Sequence, residues 1–169
     1  MDQHTFIKLV TPFKDKVYRV AKRLLVSDDE AQDATQEVLL RLWTKRSDIK
    51  KYRSVEAFAM TMTKNYCYDK LKAKGSNNLK IVHNNYEDHS GNTSKHIEVA
   101  DEVAWVFKLM EDLPEQQRLI VQMRDVEQMD NAEIAVILEM NETAVRVALS
   151  RARKKLREEL IKKRNYGIS

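Results

Sequence analysis

The sequence predicts an all-α protein of two small helical domains joined by a polar flexible linker, with a helix-turn-helix in the second domain. Only three glycines and two prolines occur in 169 residues, which argues against a turn-rich β protein. Apolar residues recur at helical spacing along most of the chain. Two of the three glycines fall in one stretch rich in asparagine and serine, which is typical of a linker. We therefore expect domains at 1–73 and 97–169, with the linker at 74–96.

The overall composition limits the classes of function. A formal net charge of +4 and a pI near 9.1 permit a polyanionic partner without requiring one. The single cysteine, Cys67, excludes an internal disulfide, and neither a signal peptide nor a long apolar run is present. The histidines lack metal-binding spacing, so we expect no metal and no cofactor. The expected location is cytoplasmic.

The first domain opens with two amphipathic segments. Apolar residues at helical spacing over 5–25 predict one helix or a helix pair, interrupted mildly by Pro12. In the following helix, Asp33, Glu37 and Leu40 share the side opposite the apolar stripe. A leucine beside two carboxylates favours a docking surface for a basic partner, although single exposed leucines are common.

A third helix is predicted from Ser54 to about Ala73. Its apolar face is expected to be buried, while its other side carries a stripe of cationic, amide and aromatic residues. The stripe comprises Thr61, Lys64, Asn65, Tyr68 and Lys72, and Arg53 extends it before the helix. Such a stripe suits single-stranded nucleic acid, because a ring can stack on an unpaired base while cations hold the backbone. A solvated face with Tyr68 packed on a neighbouring helix is equally compatible with the pattern.

The second domain is predicted to begin with a helix that ends near Leu113-Pro114, followed by another over residues 115–125. A short helix comes next, with Asp130 or Asn131 as its cap. After an interruption around Glu139, apolar residues resume at helical spacing. The pattern is typical of a helix-turn-helix with Glu139 at the turn position that glycine usually fills. An ordinary helical hairpin is the alternative interpretation.

The face of the last helix opposite its apolar stripe is suited to duplex DNA. Its first turns would reach base edges if the helix entered a major groove end-on. These turns carry Asn141, Thr143, Arg146, Val147 and Ser150. The later basic residues would contact phosphates, which position the protein without reading sequence. They are Arg151, Arg153, Lys154 and Arg157. A solvated charged face is the competing interpretation.

With both halves considered, the chain resembles the extracytoplasmic-function group of sigma factors, the smallest members of the sigma-70 family. In the second domain the resemblance lies in 113–118 (LPEQQR), 133–135 (EIA) and 149–156 (LSRARKKL). In the first domain it lies in 33–38 (DATQEV), in Leu42-Trp43, and in Asn65 followed by Asp69 and Lys72. Glu139, Ala144, Phe58, Val147 and Ala148 depart from the family pattern.

The resemblance implies a set of contacts with core RNA polymerase and promoter DNA. The residues implied at the polymerase clamp helices are Asp33, Gln36, Glu37 and Leu40. Those implied at the opened minus-ten element are Arg53, Thr61, Lys64, Asn65, Tyr68, Asp69 and Lys72. The helix from Glu142 would read the minus-35 element, and the helices around 113–123 would meet the polymerase flap. By resemblance alone, a membrane-linked anti-sigma factor is a further partner.

The sequence leaves a choice between two main functions. The first is a promoter-specific initiation factor that binds core polymerase and has no catalytic chemistry of its own. The second is a free-standing helix-turn-helix regulator that binds duplex DNA unaided. A regulator would be expected to carry a ligand pocket or dimer interface in its first domain, whereas the exposed stripes there suit a bridge between a protein and an opened strand. An enzyme is disfavoured because no glycine loop, nucleophile or base accompanies the acidic pairs.

Overall fold

A computed structural model describes residues 1–77 and 98–167. Within these ranges the chain forms seven α-helices, which confirms the all-α prediction for the described residues. The helices are α1 Gln3–Leu25, α2 Asp28–Thr44, α3 Val55–Asn77, α4 Glu98–Glu111, α5 Glu115–Val121, α6 Asn131–Leu138 and α7 Glu142–Gly167. Helix α3 continues past the expected end at 73, and the remainder of the expected linker, 78–96, lies outside the described residues.

Helix α1 is one continuous helix that contains Pro12, so the open choice between one helix and a pair resolves to one. Asp2 caps its first turn, accepting a hydrogen bond from the Thr5 backbone N–H at 2.8 Å. The helix remains continuous because its apolar stripe is buried on both sides of the proline. Val10, before the proline, is 4% exposed, and Val17, after it, has no exposed surface.

Helices α2 and α3 complete a three-helix first domain by packing against α1 and against each other. Ser27 caps α2, its hydroxyl accepting from the Glu30 backbone N–H at 3.3 Å. The buried face of α2 includes Ala31 and Ala34, whose small side chains allow close approach of the neighbouring helices. Asp33 and Leu40 are thereby left on the exposed face of α2.

The second domain is built around α5 and α7, with α4 and α6 packed beside α7. Helix α5 runs into a π-helical turn over Gln122–Val126, in which the Glu127 backbone N–H donates to the Gln122 carbonyl at 2.9 Å. The wider turn brings side chains five residues apart together. Gln122 Nε2 therefore donates to Glu127 Oε2 at 2.9 Å, and both residues are buried.

The two domains are in contact with each other. Helix α1 of the first domain packs on α5 and its π-helical turn, and α3 packs on α6. The contact includes ion pairs and hydrogen bonds between residues about a hundred positions apart, such as Arg19 with Glu127 and Arg23 with Gln122. This interface was not predicted from the sequence, where the two halves read as separate units.

Candidate nucleic-acid interface

The helix-turn-helix is formed by α6 and α7. Asp130, of the two candidate caps, precedes α6, and its backbone N–H donates to Glu133 Oε1 at 3.1 Å. Glu139 follows α6 in the left-handed conformation, with φ 57° and ψ 47°. Asn141 then caps α7, its Oδ1 accepting from the Ala144 backbone N–H at 2.8 Å. The prediction of a helix-turn-helix, with Glu139 where glycine is usual, is confirmed.

All the predicted DNA-facing residues of α7 are exposed on one side of the helix. They are Asn141, Thr143, Arg146, Val147, Ser150, Arg151, Arg153, Lys154 and Arg157. The opposite side is buried against α5 and α6, with Val145, Leu149 and Ala152 in the core. Helical periodicity alone therefore separated the core side of α7 from its solvent side correctly.

Several of these polar side chains also have partners within the protein. Arg153 makes a bidentate contact with the Asp125 carboxylate, at 2.5 and 3.1 Å, and this hydrogen bonding raises the pKa of Arg153. Arg146 Nη1 donates to Glu142 at 3.2 Å. The amide oxygen of Asn141 is occupied by the cap of α7. A DNA contact by these residues must therefore share or exchange an existing bond.

The exposed face of α2 carries the predicted docking residues. Asp33 and Gln36 are exposed, and Leu40 keeps 57% of its surface accessible. Glu37 is half-buried and accepts a hydrogen bond from Arg41 Nε at 2.8 Å. This face therefore combines an exposed leucine with carboxylates, as the sequence analysis expected.

The stripe on α3 is less continuous than expected. Arg53, Asn65, Asp69 and Lys72 are exposed, whereas Thr61 and Tyr68 are half-buried. Burial is the main cause that raises the pKa of Tyr68 to about 12.

Lys64 departs most from the expected exposure, because only 6% of its surface is accessible. Its Nζ donates to the Ile137 carbonyl at 2.8 Å, in the last turn of α6. Lys64 therefore lies under the second domain and not on an open surface. No local pattern identifies a partner 73 positions away in the chain.

The structure also shows an aromatic pair beside the stripe that was not predicted from the sequence. The rings of Tyr52 and Phe58 are stacked, with centroids 3.9 Å apart, next to the exposed Arg53. The short 3₁₀ turn Ile49–Lys51 positions Tyr52 before α3. In the sequence, one aromatic residue lies just before the start of α3 and the other just after it, and this spacing could have indicated the pair.

The described residues contain neither a metal-binding group nor a membrane-spanning helix. Across residues 1–77 and 98–167, no group of three or more potential ligands is placed to hold a metal ion. Over the same ranges, none of the helices combines the length and apolarity that a bilayer crossing requires.

A helix-turn-helix with a cationic outer face in an all-α chain is typical of proteins that bind duplex DNA. Two family models match it: "Sigma-70 region 2" over residues 9–77 and "Sigma-70, region 4" over residues 104–156. Together the matches cover well over half of the chain. The chain belongs to the sigma-70 family, in its extracytoplasmic-function group, and is an RNA polymerase sigma factor that directs promoter-specific initiation.

Named relatives agree with this assignment along nearly the whole chain. The chain is 23% identical to the ECF sigma factor SigW of Bacillus subtilis, over 94% of this chain and 90% of the relative. It is 27% identical to the ECF sigma-E factor of Escherichia coli K12, over 90% of this chain and 84% of the relative. It is 28% identical to the sigma-E factor of Streptomyces coelicolor, with 92% and 86% covered.

Two solved structures share the fold. One is CnrH in complex with the cytosolic domain of CnrY, with a TM-score of 0.70, 19% identity, and coverage of 94% of this chain and 89% of that one. The other is the sigma factor RpoE in complex with the anti-sigma factor NepR from Bartonella quintana, with a TM-score of 0.71 and 19% identity. This second match covers 92% of this chain and 96% of that one.

Proposed function

We propose that this sigma factor bridges core polymerase and promoter DNA through four separate contact regions. The domain at 1–73 docks on the polymerase clamp helices through α2 and holds the opened minus-ten strand along α3. The domain at 97–169 reads the minus-35 element with α7 and meets the polymerase flap with the helices around 113–123. The intervening residues 74–96 connect the two activities. The protein supplies no catalytic step of its own and works in the cytoplasm with the polymerase.

The observation that carries this proposal is the contrast between the exposed faces of α2 and α7. On α2, Leu40 is 57% exposed and lies on a face that carries carboxylates, which suits a protein surface with basic groups. On α7, the exposed side is cationic and its leading residues are short polar or arginine side chains, which suits a major groove. One chain therefore carries a protein-binding face and a DNA-binding face on different domains.

The proposed roles of the α7 residues depend on whether each side chain can reach the base edges in the major groove. Residues of the first turns, with Arg146 and Val147 central among them, read base edges, because an arginine matches guanine and a valine methyl contacts a thymine methyl. Arg151, Lys154 and Arg157 lie further along the helix and contact phosphates. On α3, the exposed Asn65 and Lys72 make the first contacts with the opened strand.

An anti-sigma factor is a further proposed partner. The structure of RpoE that resembles this chain contains the anti-sigma factor NepR, and the structure of CnrH contains the cytosolic domain of CnrY. A protein that covers the exposed face of α2 would compete with polymerase for Leu40. We infer that the inhibitor of this sigma factor acts in this way.

The first test is association with bacterial core RNA polymerase. The purified chain is mixed with core enzyme, separated by size, and assayed for transcription from fragments of its own genome. We expect co-elution and transcripts that share an upstream motif. Absence of co-elution together with salt-sensitive binding to duplex DNA alone would favour the free-standing regulator instead.

The second test is Leu40→Asp, with Ile7→Asp as the matched control. Both side chains are large, apolar and exposed, at 57% and 50%, so neither change should disturb the fold. Leu40→Asp should weaken association with core polymerase at least about tenfold, because it puts a charge where an apolar contact is proposed. Ile7→Asp should bind as the wild type does. Equal binding by both variants would remove α2 from the polymerase contact.

A further inference from the structure

The first turn of α7 carries a carboxylate to which the proposed DNA and polymerase contacts give no role. Glu142 is the first residue of the helix, and its side chain is 48% exposed. Asn141 precedes it and caps the helix. DNA is a polyanion, so a carboxylate at the end of the helix that enters the groove is repelled by the phosphates. Glu142 therefore lowers DNA affinity unless a neighbouring cation balances its charge.

That cation is Arg146, one turn further along α7. Its Nη1 donates to Glu142 Oε1 at 3.2 Å, and its Nη2 approaches the Thr143 hydroxyl at 3.5 Å. Side chains on a helix incline towards its N-terminus, so the guanidinium lies over the first turn. Further N–H groups of Arg146 stay available, because a guanidinium carries more donors than these two contacts use. Glu142 and Thr143 thus orient the guanidinium without occupying it fully.

Glu142 holds Arg146 from the side of α7 that is nearer the core. With about 100° between successive residues, Glu142 falls between the buried Leu149 and the exposed Arg146 around the helix. Val147, the exposed apolar residue of the outer face, lies on the other side of Arg146. The ion pair therefore leaves the outer face of the first turns open to a major groove.

An arginine at the edge of a major groove has two competing targets, the phosphates and the purine edges. Coulomb attraction favours the charged phosphate for an unpaired guanidinium. A carboxylate within hydrogen-bond distance offsets part of the positive charge and weakens this attraction, while the remaining N–H groups still match O6 and N7 of guanine. The exposed ion pair itself contributes little to the stability of the helix. Its main effect is therefore on which DNA group Arg146 contacts.

We propose that Glu142 is a positioning residue that determines specificity: it holds Arg146 towards a guanine edge of the minus-35 element and away from the phosphates. This inference rests on the proposed function of α7 as the reader of that element. Glu142 makes no base contact and acts only through Arg146, with the Thr143 hydroxyl supporting the same orientation. The carboxylate lowers overall affinity and raises the preference for the correct base pair.

The test compares two changes of Glu142 with a matched control on the same helix. Glu142→Ala removes the carboxylate, whereas Glu142→Gln keeps a hydrogen-bond acceptor without its charge. The control, Glu158→Ala, removes an exposed carboxylate about four turns further along α7 and changes the net charge equally. Arg146→Ala and the double variant with Glu142→Ala complete the set. A carboxylate in the first turn also complements the positive helix terminus, so circular dichroism and thermal melting check the fold of each variant.

Each full-length variant is combined with core polymerase, and holoenzyme binding is measured on promoters with each minus-35 base pair changed in turn, at several salt concentrations. Arg146→Ala identifies the base pair that Arg146 reads. At that pair Glu142→Ala should lower discrimination about tenfold, and it should steepen the salt slope by about one unit because the freed arginine contacts a phosphate.

The remaining variants separate hydrogen bonding from charge and direct from indirect action. Glu142→Gln should lose less discrimination than Glu142→Ala, because the amide oxygen still accepts from the guanidinium. Glu158→Ala should keep the wild-type base preference and salt slope. The double variant should match Arg146→Ala in base preference, since Glu142 has no effect without the arginine.

The outcomes distinguish this inference from the proposed function of α7. Unchanged base preference in Glu142→Ala, at a base pair where Arg146→Ala lowers it, would overturn the inference and leave α7 as the reader. A further loss of preference in the double variant would show that Glu142 acts independently of Arg146, and would also overturn it. If Arg146→Ala itself altered no base preference, the proposed role of Arg146 would fail, and the inference would fail with it.

Discussion

At the residue scale, three non-glycine residues of the described part of the chain adopt positive φ: Val26 at 61°, Gln128 at 59° and Glu139 at 57°. Each lies one or two residues after the end of a helical segment, where the left-handed conformation terminates the helix. Glu139 is the turn of the helix-turn-helix, and its side chain is 84% exposed. The turn geometry is therefore retained without glycine, and the cost is local strain in the backbone.

Glu139→Gly should stabilise the protein by up to about 1 kcal/mol, because glycine adopts this conformation without a Cβ penalty. The more mobile unfolded chain, and the loss of the weak ion pair between Glu139 and Lys64 at 4.0 Å, offset part of the gain. Urea denaturation measures the change. The matched control is Glu158→Gly, at an exposed position within α7, which should destabilise by about 1 kcal/mol. A loss of stability in both variants would contradict the strain at Glu139.

The single thiol is another residue whose behaviour its surroundings decide. Cys67 is fully buried on α3, and this burial raises its pKa from 9.0 to about 12. Since the folded-state pKa is raised, burial of the neutral thiol stabilises the fold below pH 9, and this contribution is lost as the pH rises from 9 towards 12.

A chromogenic disulfide reagent at pH 8 should therefore react with Cys67 at least about a hundredfold more slowly in the folded protein than in urea, because thiolate is the reactive form. The rate of colour formation measures this. The folded-state rate should follow the rate of unfolding or local opening as denaturant is added. Rapid reaction of the native protein at pH 8 would show that the thiol is accessible.

At the element scale, α7 has two roles that its sequence combines. Its inner side packs on α5 and α6, and its outer side carries the proposed DNA contacts. Asp125 in the π-helical turn holds Arg153 in place before any DNA binds, so that turn supports the DNA-binding face as well as the domain contact. Preordering of this arginine would reduce the entropic cost of its proposed phosphate contact.

Arg146→Ala and Lys154→Ala should have different effects on minus-35 binding. Loss of Arg146 should reduce the preference at one base position by about 1 to 3 kcal/mol, because it removes a base-edge contact. Loss of Lys154 should weaken binding equally across sequences and lower the salt slope by about one unit. Binding of the holoenzyme to a set of mutated promoters, at several salt concentrations, measures both. Identical profiles for the two variants would contradict the division between reading and positioning.

At the scale of the whole molecule, the domains stabilise each other. Arg19 of the first domain donates to Glu127 of the second, and Arg118 of the second domain donates to a backbone carbonyl of the first. Buried apolar residues of both domains also form one continuous cluster. We therefore expect the described parts of the chain to unfold cooperatively, although each domain has its own set of packed helices.

Differential scanning calorimetry should show one thermal transition for the wild type, with the calorimetric and van't Hoff enthalpies in agreement. Arg19→Glu should divide it into two transitions, because the domains then unfold with less coupling. Lys16→Glu, which breaks the ion pair with Glu56 within the first domain, should lower the transition temperature without dividing it. Two transitions in the wild type, or one in Arg19→Glu, would contradict strong coupling between the domains.

The sequence determined the local structure because helical periodicity and caps are read over a few neighbouring residues. It predicted the helices, the turn at Glu139, the exposed Leu40 and the outer face of α7, and the structure has each of these. It could not choose between Asp130 and Asn131 as the cap of α6, since both residue types serve and only backbone geometry distinguishes them.

Only the tertiary structure decided how the domains pack together and which polar residues are buried in the interface between them. In the sequence, Lys64 cannot be distinguished from an exposed lysine of the α3 stripe, yet its partner is a carbonyl 73 positions away. Glu127 resembles a solvent-exposed acid in sequence, but the π-helical turn and Arg19 make it a buried ion-pair partner. Such contacts depend on distances between segments far apart in the chain, and local periodicity carries no information about those distances.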